Sequence, residues 1–83
     1  MDWPERYCAA LEERVGAPLG LSDDEVDAVL DLAREVAHAT ERRFAPLSTY
    51  ITGKYVARRV DEGATNRAAL DEAVDIAREL GAQ

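Results

Sequence analysis

Apolar residues recur at helical spacing in four separate stretches of this chain, and each stretch carries its own start and stop signals. Trp3, Tyr7, Leu11 and Val15 fall four residues apart. Asp2 is placed to cap that segment, with Glu5 three residues on, and Gly16 and Pro18 end it. A second segment opens on Ser22-Asp-Asp-Glu25, a capping-box pattern with three carboxylates at the positive helix end. Its apolar stripe is Val26, Val29, Leu30, Ala33, Val36 and Ala37, with Leu32 towards the edge.

Periodicity breaks from Thr40 to Ala45. Pro46 suits the first turn of a third helix, where its missing N–H is not needed, and Leu47, Tyr50, Ile51, Tyr55 and Val56 carry the stripe onward. Gly53 inside this helix costs about 1 kcal/mol relative to alanine, which predicts a close helix contact or the approach of a ligand. Thr65 or Asn66 caps a fourth helix lined by Leu70, Ala73, Val74, Ala77 and Leu80, and Gly81 is its expected stop. With no strand-like alternation and no repeat, the pattern predicts an all-α, compact four-helix domain with short connections, one domain over residues 1–83.

Length and charge narrow the function. A chain of 83 residues closes one small core and buries roughly 60–65% of its unfolded surface, so an oligomer or partner protein is a natural source of added stability. Seventeen acidic against ten basic residues give a net charge of −7, which repels a phosphate backbone and argues against nucleic acid. Nine of the ten basic residues are arginine, a bias that fits either a GC-rich genome or a surface adapted to high salt. In the second case, removing salt unfolds the protein through self-repulsion. Cys8 is the only cysteine, which excludes an intrachain disulfide and deprives zinc of its usual thiolates. No apolar run reaches the length of a membrane span, and the opening Asp-Trp-Pro-Glu is unlike a signal peptide. A cytoplasmic protein with no membrane association and no cofactor is expected.

The candidate chemistry gathers between Asp31 and Gly53. Arg34, His38 and Arg42 are spaced by four on one side of the second helix, and Arg43, Thr49, Tyr50 and Thr52 follow within a few residues. Read functionally, Arg42 and Arg43 are forked donors for phosphate or carboxylate, and His38 adds a donor that titrates near neutral pH. Thr49 and Tyr50 add hydroxyls near a helix N-terminus that favours anions. Read structurally, Arg34 and Arg42 pair with Asp31, Glu35 or Glu41, His38 packs against a backbone carbonyl, and Ser48 and Thr49 cap a first turn. Ser48 with His38 lacks the orienting group and oxyanion pocket of a hydrolase. Trp3, Tyr7, Tyr50 and Tyr55 fit apolar stripes and are expected at or near the core. The runs Asp23–Glu25 and Asp71, Glu72, Asp75, Glu79 read as solvated faces.

Small size, acidity and four helices invite comparison with acyl carrier proteins, but their Asp-Ser-Leu attachment motif is missing: Ser22 lies between Leu21 and Asp23, and Ser48 between Leu47 and Thr49. The run LDLAREVAH at Leu30–His38, with Glu41-Arg42 and APLSTYITG at Ala45–Gly53, resembles an uncharacterised family of small all-helical bacterial domains. Members of that family stand alone or follow a nucleotidyltransferase domain of the molybdenum-cofactor guanylyltransferase type. The chain departs from the family pattern at Ser48, commonly threonine, and at the Arg42-Arg43-Phe44 turn. The resemblance implies a setting, molybdenum-cofactor nucleotide transfer with a nucleotidyltransferase as partner, and no mechanism; because its positions coincide with the junction singled out by charge and turn chemistry, a noncatalytic accessory or interaction domain is expected, with His38, Arg42, Arg43, Thr49 and Tyr50 as contact residues. The alternatives are a small enzyme or binder acting on an anionic metabolite, and a homo-oligomer.

Overall fold

Three of the four helices start where a short polar side chain can satisfy free backbone N–H groups. In the computed structural model, which describes residues 2–82, α1 runs Trp3–Val15, α2 Asp23–Ala39, α3 Phe44–Asp61 and α4 Asn66–Gly81. Asp2 Oδ1 accepts from the Glu5 N–H at 3.0 Å, and Thr65 Oγ1 accepts from the Ala68 N–H at 3.1 Å. At α2 the capping box is complete: the Glu25 N–H donates to Ser22 Oγ at 3.1 Å, and the Ser22 N–H donates to Glu25 Oε1 at 2.9 Å. Gly16 ends α1 at φ +68°, a left-handed conformation that costs glycine nothing. The expected all-α, four-helix class is the one observed, with no strand among the described residues.

Helices α2, α3 and α4 pack on one another around Ala28, Leu32, Ala69, Leu70 and Val74. Arg67 on α4 pairs with Asp24 on α2 at 3.2 Å, and Arg78 pairs with Glu35 at 3.4 Å. Both pairs join residues the same distance apart in sequence, so α2 and α4 run parallel and in step while α3 returns between them. Gly81 makes the same approach at the far end, where a Cβ would stand 3.1 Å from that of Ala39.

The structure corrects several expectations. Leu32, placed at the edge of the α2 stripe, is its most buried residue at 2% exposure, whereas Leu30 is 60% exposed. The buried face is turned towards Ala28 and Leu32 because α2 is covered by both α3 and α4, not by one neighbour. A Cβ added at Gly53 would meet no protein atom within 4 Å, so no helix packs closely on it. Gly81 is the last residue of α4, one residue inside its expected place.

Trp3, Tyr7 and Tyr50 are exposed instead of near the core, and Tyr55 alone of the four aromatics is half-buried. The reason lies in α1. No Cα of α1 comes within 8 Å of another helix, and its apolar face stays largely exposed, with Trp3 and Tyr7 stacked on each other at 5.8 Å. It is held by its own linker, where the Leu19 N–H donates to Glu12 Oε2 at 2.7 Å.

Candidate functional site

The short turn between α2 and α3 fixes the corner singled out in the sequence. Thr40 ends α2 by donating its hydroxyl to the Val36 carbonyl at 2.7 Å. The Phe44 and Ala45 N–H groups then donate to the Glu41 and Arg42 carbonyls at 3.0 and 3.1 Å. Those two groups are therefore occupied, and Pro46 has none. The first three positions of α3 offer no free N–H to an anion.

Each of the five candidate residues has a definite place. His38 is exposed in the last turn of α2, where a cation suits the negative helix end. Arg42 lies in the turn, exposed and without an ion pair among the described residues. Arg43 pairs with Glu41 at 3.5 Å and sits over the Phe44 ring at 5.2 Å. Thr49 donates its hydroxyl to the Pro46 carbonyl at 2.9 Å, a bond within the helix and not the first-turn cap of the structural reading, since no side chain caps α3. Tyr50 is 70% exposed, with the Lys54 ammonium 5.2 Å from its ring centre. The turn brings Arg42 and Arg43 together, but no hydrogen bond or ion pair among the described residues links the five to one another. Arg34 pairs with Asp31 as the structural reading has it.

Beside this corner the structure shows a feature absent from the sequence reading. The C-terminal halves of α2 and α4 and the middle of α3 diverge around a groove of about 440 Å³, lined chiefly by Leu32, Val36, Ile51, Tyr55, Ile76 and Leu80. Its polar side chains are hydroxyls, and none of its lining residues is charged. The signal for it was Ser48, Ile51, Thr52 and Tyr55, a small or apolar series at helical spacing on a helix that buries no residue fully.

One wall of the groove is fastened by a network through Glu72, a residue whose sequence pattern is that of a solvated face. Tyr55 donates to Glu72 Oε1 at 2.6 Å, and Arg59, one turn along α3, donates to the same carboxylate at 3.0 and 3.2 Å. The Arg59 guanidinium first, and the Tyr55 hydroxyl second, hold the Glu72 carboxyl down at about 2, well below its ordinary range. The same hydrogen bond pushes the Tyr55 phenol up, and Glu72 followed by Glu62 makes Arg59 harder to deprotonate. On α1, burial and then Glu12 push the Cys8 thiol up, which keeps it protonated and a weak nucleophile.

Among the described residues no group of three or more His, Cys, Asp or Glu is placed to hold a metal ion, and no helix is long and apolar enough to cross a membrane. Neither curated proteins nor solved structures include a significant match to the chain. A family model does match, and it spans residues 1–83. Its description, a domain of unknown function, agrees with the uncharacterised family that the central segment resembles, and the chain belongs to this family, DUF6457.

Proposed function

We propose that this chain is a noncatalytic accessory domain that works by binding another protein, and that the partner is a nucleotidyltransferase serving molybdenum-cofactor nucleotide transfer. The observation that carries the interaction role is the outward patch at the α2–α3 corner. Tyr50 and Leu47 are 70% and 57% exposed there, beside Arg42 and Arg43. Tyrosine and arginine around an apolar residue is the composition that dominates binding energy at protein interfaces. Lys54 over the Tyr50 ring and Arg43 over Phe44 restrict both aromatics, so less side-chain freedom is lost on docking. The kind of partner rests on the resemblance of Leu30–Gly53. Arg42 and Arg43, two of the ten basic residues of a chain of net charge −7, lie together at this corner and suit an acidic patch on that partner.

Co-purification of the tagged protein from its native cells tests this reading, with wild type compared with Tyr50→Ala and with His38→Ala/Arg42→Ala. Wild type is expected to capture a nucleotidyltransferase. Loss of a central anchor worth about 2 kcal/mol weakens capture roughly thirty-fold. Equal capture by all three proteins would put the contact elsewhere, and capture of no nucleotidyltransferase would sink the accessory role.

A second reading, a binder of an anionic metabolite, draws on Arg42, which no carboxylate engages among the described residues. Calorimetric titration with inorganic phosphate and with a dicarboxylate, lost on Arg42→Ala, is its signature.

A further inference from the structure

Two apolar surfaces of this chain lack a partner within it, and they match in chemistry. On α1, Trp3, Tyr7, Leu11 and Val15 are 68%, 54%, 40% and 62% exposed. Between α2, α3 and α4 the groove leaves Ile51, Ile76 and Leu80 64%, 47% and 63% exposed. From Trp3 to Val15 a helix advances about 18 Å, and the groove walls from Leu32 to Thr40 and from Ala73 to Gly81 are about 12 Å long, enough to take Trp3, Tyr7 and Leu11. Neither surface carries a charge that the other must bury, because the α1 stripe is apolar and the groove lining is apolar with hydroxyls.

The total surface is larger than a compact monomer of this mass exposes. A compact monomer of 9.1 kDa exposes about 4,900 Å². This chain exposes 6443 Å², an excess of about 1,500 Å² over that relation. A standard stable interface takes about 800 Å² from each partner, so the excess exceeds what one dimer contact removes. The radius of gyration tells the same story, at 13.4 Å against about 11.8 Å for a chain of this length.

We infer that α1 of one copy lies in the α2–α3–α4 groove of a second copy, and that the exchange is reciprocal. A copy that gives one helix and receives another closes on a two-fold axis and leaves neither surface open to further growth. The chain's own α1 is the less suitable occupant. Tyr7 and Leu11 share a recess with Leu19, Leu21 and Val26, at the opposite end of α2 from the groove, and the Glu12–Leu19 hydrogen bond holds them there. A second copy can bring its groove to α1 where it lies, whereas the chain's own groove is reached only if α1 leaves that place. The surface is distinct from the Tyr50 and Arg42 corner, so the inference stands apart from the accessory role proposed above.

Sedimentation velocity on the full chain over a concentration series, combined with a nitroxide on Cys8, tests it. Wild type is expected to sediment as a dimer. Trp3→Ser/Tyr7→Ser and Ile51→Glu/Leu80→Glu each shift it to monomer by tenfold or more in dissociation constant, with helicity by circular dichroism unchanged because all four positions are over half exposed. In a mixture of labelled chain and isotope-labelled Cys8→Ser chain, the nitroxide should broaden the amides of Thr52 and Ala77 across the interface. A wild type that stays monomeric overturns the inference, as does a dimer indifferent to both variants. Broadening of the same amides in a sample with nitroxide and isotope on one chain, with none in the mixture, would overturn it by assigning the groove to that chain's own α1. Tyr50→Ala/Arg42→Ala should leave the dimer intact, so failure of the partner reading and failure of this one give different results.

Discussion

The Tyr55 hydroxyl donates to Glu72 Oε1 across 2.6 Å, so the residue that walls the groove on α3 also ties α3 to α4. Arg59 grips the same carboxylate from one turn away, and its other arm reaches Glu62 at 2.9 Å. A single α4 side chain thus holds two consecutive turns of α3, a helix that buries none of its own residues fully.

Acid should therefore loosen α3 first. Glu72 is held at about 2 when folded against 4.5 when free, so the unfolded chain binds the extra proton between these values. The contribution is complete above pH 4.5 and disappears as the pH falls towards 2. Tyr55 behaves in the opposite sense at the other end: its raised pKa makes its contribution complete below pH 10 and lost as the pH climbs through the raised value. Thermal unfolding followed by circular dichroism across this range should show both limbs. Glu72→Gln should flatten the acid limb and lower the melting temperature at pH 7, modestly because the carboxylate is 38% exposed and screened by solvent.

Two glycines in helices should respond oppositely to a methyl group. A Cβ at Gly53 meets open space, so Gly53→Ala should gain about 0.5–1 kcal/mol from helix propensity and lost unfolded-state freedom. At Gly81 the same atom would stand 3.1 Å from the Ala39 Cβ, where the ends of α4 and α2 meet. Gly81→Ala should forfeit that gain or reverse it. Urea midpoints at unchanged slope separate the two cases.

The register of α2 can be read from a pair of leucines. Leu32→Ala removes a side chain 2% exposed at the centre of the core and should cost about 2–5 kcal/mol, comparable with the whole stability of a domain this small. Leu30→Ala, at a position 60% exposed, should change stability by under about 0.5 kcal/mol. Equal losses at the two positions would mean that α2 packs on the face the bare periodicity suggests.

That contrast marks where the sequence stops being legible. Helix ends were readable at Asp2, Ser22, Gly16 and Thr65 because a cap is decided within four residues of chain. The buried side of α2 was not, because it depends on α3 and α4 covering it together. Glu72 looked like Asp71 and Asp75, and only the place of Tyr55 and Arg59 on α3 distinguishes it. For α1, the stripe from Trp3 to Val15 announces a face that wants cover, and amphipathicity says nothing of what supplies it. The corner of His38, Arg42, Arg43, Thr49 and Tyr50 was found from its residue types, but their separate local partners became visible only in three dimensions.

Removing residues through Gly20 should leave α2, α3 and α4 folded. Helix α1 contributes no buried residue, and no Cα of it comes within 8 Å of the others. All five core residues lie on α2 and α4. The shortened chain also keeps the Ser22 and Glu25 box that starts α2. In dilute solution its stability should fall by less than about 1 kcal/mol, a shift of at most roughly 8 °C in the melting temperature of a domain this size. At higher concentration the full chain should gain stability as it associates and the shortened one should not, since anything that binds only the folded state raises its apparent stability with concentration. Calorimetric melting of both chains over a dilution series checks the two statements together. Loss of cooperative melting in the shortened chain even when dilute would mean that α1 supports the bundle within a single copy.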